Sequence, residues 1–317
     1  MSNSEQNISY TTEEIAQLLK VSKLTIYDLI KKGEIRAYRV GRQMRVDAVD
    51  LTSYKEQLKS GGNLSDTRRI VESSAEKPQT RPQSDSVIIS GQDISLDILA
   101  SYIDEAGAYR PLRSFTGSLN SLIKMYHGEA DIVSTHLFDG ETGTYNLPYI
   151  QRLLTGHSYI VIHLLVRKAG IYVQKGNPQQ IHDWADLAQP GLRLINREKG
   201  SGARVLLDEQ LRLASIAPST IMGYEDEEQN HMAVAARIAS KQADVGVGIE
   251  KTARLIDVDF IPLIDEQYDL VLLKTKENEQ IRDFIVKTIN DPDFQAKINA
   301  IGGYDLTNAG DIRYETP

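Results

Sequence analysis

Two glycine–serine turns stand out in this sequence for the chemistry they could do. Gly117-Ser118 and Gly200-Ser201-Gly202 each follow a strand-like apolar run and open an amphipathic stretch. A strand–turn–helix of this kind gathers orphan backbone N–H groups and the positive end of a helix dipole at one spot. Glycine lets a ligand approach the backbone, and the serine hydroxyl adds a donor. An anion can be held there without a full counter-charge. In an open α/β sheet this is also the crevice where ligands sit. The same serines could serve only as helix caps. Other candidates surround the turns. Ser90 and Thr135 close strand-like runs, and His136 lies just past the second of them. Arg197 and Arg204 flank the second turn, Gly248 would permit close backbone approach, and Tyr268 stands at a return crossover. An inward arginine would favour a carboxylate, phosphate or pterin over a simple tetrahedral oxyanion.

A second constellation is basic. Lys20–Arg45 holds eight basic residues against Asp28 and Glu34. Arg36, Arg39, Arg42 and Arg45 recur every three residues, after a segment carrying Ser22, Lys23, Thr25, Tyr27 and Lys31. Such a stripe is the footprint of local polyanion binding. A recognition helix would offer the second group to the major groove. The arginines would reach phosphates or the minor groove.

The elements that must position these residues read clearly. Thr11 can cap a first helix, with Glu14 closing a capping box, and Ile15, Ala16, Leu18 and Leu19 form its apolar stripe. Ser22 caps a second helix to Lys32, with Ile26, Leu29 and Ile30 inward. Ile35–Val40 and Met44–Val46 flank Gly41-Arg42-Gln43 as a hairpin, and a third helix follows from Asp47 to about Lys59. Helix, helix, hairpin, helix is an α+β winged helix-turn-helix over 1–59. The stretch 60–85, with few apolar residues and Pro78 and Pro82, reads as a linker. From Ser86 strands and helices alternate: strands at 86–90, 112–115, 131–135, 192–196 and 244–249, helices at 94–105, 118–127, 203–213 and 231–240. That pattern means parallel strands covered by helices. The long apolar stretches 159–173 and 268–273 join two α/β lobes, about 86–165 with 268–317 and about 172–262. Residues 86–317 are thus expected to form a hinged two-lobe ligand-binding domain of the periplasmic type.

Composition bounds the rest. The chain has 317 residues, no cysteine and a net charge of −8. Thiol catalysis, disulfides and cysteine-ligated metals are excluded. Bulk charge argues against coating nucleic acid, yet residues 1–60 carry net +2 and 86–317 net −10, so the positive charge is local. No apolar run approaches a membrane span, and the polar N-terminus lacks a signal-peptide core, which leads to the expectation of a cytoplasmic protein. Catalysis is not expected: there is no Gly-x-Ser-x-Gly elbow and no His-Glu-x-x-His. No cofactor or metal is expected either.

YTTEEIAQLLKVSKLTIYDLIKKGEIRAYRVGRQMRVDAVDLTSYKEQL resembles the excisionase-like group of MerR-type winged helix domains. Arg36 stands where that group usually has proline and Met44 where it has an aromatic. FTGSLNSLIKMYHGEADIVSTHLFDGETGTYNLPYI, INREKGSGARVLLDEQL, GYEDEEQNHMAVAARIASKQADVGVGI and GGYD are similar to the cytoplasmic substrate-binding-like domain fused to DNA-binding or molybdenum-cofactor modules, which implies an α/β two-lobe fold of the type II periplasmic-binding-protein kind for residues 86–317. Ala203 stands where threonine often follows Gly-Ser-Gly. The resemblance implies a transcriptional regulator that senses molybdate, tungstate or a related oxyanion. It also leaves open an accessory DNA-binding protein whose second domain only dimerises, or a pterin-binding protein. The expected partners are double-stranded DNA, a small anionic ligand and a second copy of the chain, because one such head binds DNA weakly alone.

Overall fold

The computed structural model describes residues 9–19, 26, 30, 35, 37–40, 43–47, 51 and 86–317. The chain divides into two compact units, Met1–Thr80 and Arg81–Pro317.

In the first unit, strand β1 (Ser9–Thr11) leads into helix α1 (Thr12–Leu19). Thr11 and Glu14 form the capping box: Thr11 N–H donates to Glu14 Oε2 at 2.7 Å, and Glu14 N–H donates to Thr11 Oγ1 at 3.3 Å. Strands β2 (Tyr38–Val40) and β3 (Gln43–Asp47) pair antiparallel as expected of a hairpin, but Val40 lies opposite Gln43, so Gln43, expected in the turn, opens β3. β1 adds a third strand on β3. Ile15, Ala16, Ile26, Ile35, Val46 and Leu51 make the small core. Leu18, expected in the apolar stripe, is exposed. Leu19, Leu29 and most of the second and third helices lie outside what the structure describes of side chains or backbone.

The second unit is built on a ten-stranded sheet, eight strands of which run in the order β11 (Glu227–Glu228), β10 (Leu194–Arg197), β12 (Val245–Ile249), β9 (Tyr159–Val173), β13 (Asp259–Leu273), β6 (Ile132–Thr135), β4 (Ser86–Ser90) and β5 (Arg110–Ser114). Its frame is two 15-residue strands, β9 (Tyr159–Val173) and β13 (Asp259–Leu273), antiparallel along their whole length. The first lobe adds β4 (Ser86–Ser90), α2 (Ser95–Glu105), β5 (Arg110–Ser114), α3 (Ser118–Tyr126), β6 (Ile132–Thr135) and α4 (Leu147–Leu153), with α8 (Glu279–Ile289) and α9 (Pro292–Ile301) from the C-terminal part. The second lobe adds β10 (Leu194–Arg197), α5 (Gly202–Leu213), β11 (Glu227–Glu228), α6 (His231–Ala239), β12 (Val245–Ile249) and α7 (Glu250–Ile256). The far edge of β9 is shared in succession by β15 (Ile312–Glu315), β14 (Tyr304–Asp305) and β12.

Period-two alternation explains how both faces are covered. Ile160, Ile162 and Leu164 face α2, α8 and α9 on one side, while Tyr159 and Val161 face α3 and α4 on the other. Past Arg167 the same strand serves the second lobe: Ala169, Ile171 and Val173 pack on α5, and Tyr172 packs on α6 and α7. The two extended crossovers are therefore the paired strands β9 and β13. One segment changes side. The hairpin β7 (Phe138–Asp139) and β8 (Thr144–Tyr145) falls within 86–165, yet Phe138 packs in the core of the second lobe.

Candidate functional site

The register of the two long strands sets Glu266 beside Arg167, and β14 sets Tyr304 on the other side of Arg167. These lie where the strands pass from one lobe to the other. Arg167 Nε donates to Glu266 Oε1 at 2.5 Å, and Nη1 donates to Asp93 Oδ2 at 2.5 Å. All three side chains are buried. The Tyr304 hydroxyl donates to Asp93, within 3.1 Å of both carboxylate oxygens. The guanidinium lies over the Tyr268 ring at 4.6 Å. Tyr268 in turn stacks on His136 at 5.3 Å and shares a 2.7 Å hydrogen bond with Ser134. His136 Nδ1 lies 3.0 Å from Glu266 Oε2 as an ion contact rather than an aligned hydrogen bond. Burial alone would raise the Glu266 carboxyl. The charges of Arg167 and then His136 override it and hold it at about 2. Asp93 is likewise held low against its own burial, chiefly by Arg167.

Asp93, Ser134, His136, Arg167, Tyr268 and Tyr304 of this cluster form one wall of a cavity of about 470 Å³ between the lobes, with Glu266 behind them. Helix starts from both lobes converge on it: Gly117 and Ser118 of α3, Ser201 and Gly202 of α5, and Asn230, His231 and Met232 of α6. The start of α2 reaches it too, but Asp93 already accepts from Ser95 N–H there. α3 has no side-chain cap. The Ser118 hydroxyl oxygen accepts from His136 N–H at 3.3 Å, and that of Ser201 from Arg204 N–H at 3.3 Å. Both hydroxyls keep their own protons for a ligand.

Positive charge comes from the second lobe. Arg197 is buried and spends Nε and Nη2 on Glu198, Gln92 and the carbonyls of Glu228 and Gln229; none of these contacts uses Nη1. Lys251 has its Nζ buried with no hydrogen-bond partner, 5.1 Å from the Tyr304 ring. Burial lowers its pKa, with Arg167 adding to the effect and Asp93 opposing it. His231 also presents a buried Nδ1 without a partner. Burial first, then Arg197, Arg167 and His136, hold its pKa well below the usual histidine value, so it is neutral near pH 7.

The lobes touch. Leu119 N–H donates to the Gly200 carbonyl at 3.0 Å, and Arg197 Nη2 donates to Gln92 Oε1 at 2.7 Å. Glycine is required at this seam. A Cβ on Gly202 would lie 2.2 Å from His136 Nδ1 and 2.7 Å from its carbonyl oxygen, and one on Gly117 would lie 2.8 Å from the Gly200 carbonyl oxygen.

Of the ligand candidates read from sequence, Gly117, Ser118, His136, Arg197, Ser201, Gly202 and Tyr268 line the cavity. Five others do not. Ser90 is buried behind the wall, bonded to Ser121 Oγ at 2.8 Å. Thr135 donates to Asn146 Oδ1 at 3.1 Å. Gly200 gives its carbonyl to the lobe–lobe contact instead. Arg204 turns away to Glu227 and Asp208 at 2.9 and 3.1 Å and lies over the Tyr224 ring. Gly248 admits the ring of Tyr172 rather than a ligand. Sequence reasoning missed Asp93, Arg167, Glu266, His231, Lys251 and Tyr304. Charged residues at the centre of apolar 15-residue strands were the available signal for Arg167 and Glu266, and Asn230, a cap-forming type, was the signal for α6. Of the DNA-contact candidates, Ser22, Lys23, Thr25, Tyr27, Lys31, Arg36 and Arg42 lie outside the described residues. Arg39 is on β2, and Arg45 on β3 donates to Ser9 Oγ at 3.1 Å.

Comparison with known proteins places this architecture. Residues 100–288 match the family model of the PBP superfamily domain. The chain belongs to the PBP superfamily. Residues 9–59 match a helix-turn-helix domain, so this PBP-like chain carries a helix-turn-helix domain ahead of its two α/β lobes. It is 51% identical over 308 residues to the uncharacterized protein YvgK of Bacillus subtilis (strain 168), covering 97% of this chain and 98% of that one. A Clostridium pasteurianum protein, described as an uncharacterized protein in the ferredoxin 2Fe-2S gene 5′ region, is 39% identical over 34% of this chain and 96% of its own. Among solved structures, a tungstate ABC transporter from Geobacter sulfurreducens shares the fold with a TM-score of 0.50 at 14% identity, covering 68% of this chain and 98% of that one. EhuB in complex with hydroxyectoine shares it with a TM-score of 0.52 at 12% identity, covering 72% and 93%. Among the described residues no helix is long and apolar enough to cross a membrane.

Two outcomes follow from this geometry. Glu266 ionises at about 2 in the fold against an ordinary 4.5, so the unfolded chain binds its proton more tightly. The stability it contributes is whole above about pH 4.5 and is lost as pH falls through 2. Glu266→Gln is expected to cost about 3 kcal/mol at pH 7, as breaking a buried pair does. The deficit should shrink toward pH 2 in denaturant titrations followed by circular dichroism; a deficit independent of pH would contradict the assignment. Gly202→Ala should hold the lobes apart against His136. The expected signature is a larger radius of gyration by small-angle scattering with unchanged helix content, and a scattering curve identical to that of the parent protein would refute it.

Proposed function

We propose that this protein is a ligand-responsive transcriptional regulator: an anion closes the two lobes, and closure alters DNA binding by the helix-turn-helix domain. The observation that carries the reading is the cavity between the lobes. Three helix starts, two free serine protons, Arg197 and the unpartnered amine of Lys251 meet there. That combination binds negative charge by dipoles and by cations at once. Molybdate and tungstate, to which the sequence resemblance points, belong to this anion class, and the fold likeness to a tungstate transporter is in keeping with it. The finer DNA-binding reading is an excisionase-like, MerR-type winged head. A single head of this size grips DNA weakly, so the working form is a homodimer reading two half-sites. The reading assigns the protein to the cytoplasm, where the DNA is, and assigns it no catalysis.

The reading predicts two linked behaviours, both measurable on the full-length protein. Fluorescence anisotropy with labelled duplex DNA should show affinity falling steeply with salt, with a shallower slope after Arg39→Ala combined with Arg42→Ala. An anion at 100 times its dissociation constant should stabilise the protein by about 2.7 kcal/mol and shift the anisotropy curve. A titration with sodium molybdate, tungstate and phosphate reads this out. A flat salt response would remove the DNA-binding half. Stabilisation without any change in DNA affinity would remove the coupling.

A further inference from the structure

We infer that the ligand of this cavity is an organic anion, a carboxylate or phosphate head carried on a flat apolar body, rather than a bare oxyanion. The inference rests on the reading of the cavity as an anion site and adds the chemistry of the rest of the ligand. Size is the first argument. At about 470 Å³ the cavity falls in the range of about 300–1,000 Å³ usual for sites that bury drug-sized ligands. A single central atom with its oxygens would occupy only a small part of it.

Segregation is the second argument. The cationic groups, Lys251 and Arg197, have their charged atoms buried, where a headgroup would end. Both lobes put large apolar side chains at the mouth, beside the exposed Gln92, Gln229 and Asn230. Ile94 and Phe115 of the first lobe are 46% and 67% exposed, and Met232 and Leu255 of the second are 53% and 65% exposed. All four line the cavity. Large apolar side chains this exposed, gathered round one opening, mark a surface that is covered in use. Phe115 is also held in place: the Arg113 guanidinium lies 5.0 Å from its ring centroid and is itself fixed by the carbonyls of Ile89 and Gly91. A ring on one lobe and the apolar side chains of Met232 and Leu255 on the other, all lining one cavity, suit a flat apolar group. A fully hydrated oxyanion gains nothing from such a rim, and its solvation would be impaired by it.

The test is a calorimetric and thermal-shift comparison on the full-length protein. The probes are inorganic phosphate, molybdate, phenyl phosphate, benzoate and neutral benzamide. Phenyl phosphate is expected to bind at least tenfold more tightly than inorganic phosphate. Phe115→Ala combined with Leu255→Ala should weaken phenyl phosphate at least tenfold more than it weakens inorganic phosphate. Both side chains are mostly exposed, so the double variant should fold as the parent does. Lys251→Met should weaken both anions at least tenfold. Bare oxyanions binding as tightly as the aromatic anions would overturn the inference and leave the anion site standing. Benzamide binding as tightly as benzoate would overturn the anionic head, and with it the reading beneath. No response to any anion would overturn both.

Discussion

The C-terminal domain depends on one buried guanidinium. Arg167 sits at the crossing of two 15-residue strands, and its charge has left water entirely. Such a group is tolerated only with full pairing, since desolvation of each ion costs several kcal/mol. Here the pairing comes from three directions: Glu266 from the neighbouring strand, Asp93 from the loop before α2, and the Tyr268 ring beneath. Tyr304 from the C-terminal part then bonds Asp93. Four separate stretches of chain are thereby required to meet at one point. A register slip of one residue along β13 would turn Glu266 to the other face and take away one of the two carboxylates that answer this charge. The ion cluster therefore specifies register, while the alternating apolar residues on either side of it supply most of the burial energy.

That neutralisation also shapes the cavity. Arg167 contributes a wall but little free charge, because two carboxylates already answer it. The positive potential available to a guest comes chiefly from Lys251, while Arg197, whose charge Glu198 already answers, offers the N–H groups of Nη1; both are in the second lobe. The first lobe contributes Ser118, the uncapped start of α3 and the backbone around Gly117. In the proposed mechanism the guest therefore gains its main charge contacts on one lobe. It gains hydrogen bonds and apolar cover from the other only once the two have met. A ligand shifts a conformational equilibrium only through such a difference in affinity between states. Gly117 and Gly202 matter for the same reason, since a side chain at either would keep the second set of contacts from forming.

Much of this was legible in the sequence, and what was not shares one cause. The alternation of strands and helices, the capping box at Thr11 and Glu14, and the Gly-Ser turns are local patterns, and the helix starts they imply do line one cavity. Long-range pairing is not local. Ser90 and Thr135 end strands at the right level, but whether their hydroxyls face the cavity depends on Ser121 and Asn146, which accept or donate behind the wall. Arg204 follows the second turn closely, yet a helix carries it toward Asp208 four residues on and toward Glu227. Arg197, one strand end earlier, reaches the cavity because Gln92 meets it there. Arg167 and Glu266 could be flagged as charges inside apolar strands, but their pairing needed the register.

Coupling between the lobes and the DNA-binding head is constrained by the charge distribution. The head is basic within an acidic chain, so its grip on DNA is electrostatic and sensitive to distance and orientation within a Debye length of roughly 8–10 Å. In the proposed dimer, rotating one head by a modest angle would move its arginines across that distance. Typical allosteric coupling of about 1–3 kcal/mol is then within reach of a lobe closure that repositions the heads, with no change inside the head itself. Reciprocity follows for the proposed regulator: whatever factor the anion applies to DNA affinity, DNA must apply to anion affinity. A titration of anion with and without duplex thus measures the same coupling from the opposite side, and agreement between the two factors is a condition any two-state account must meet.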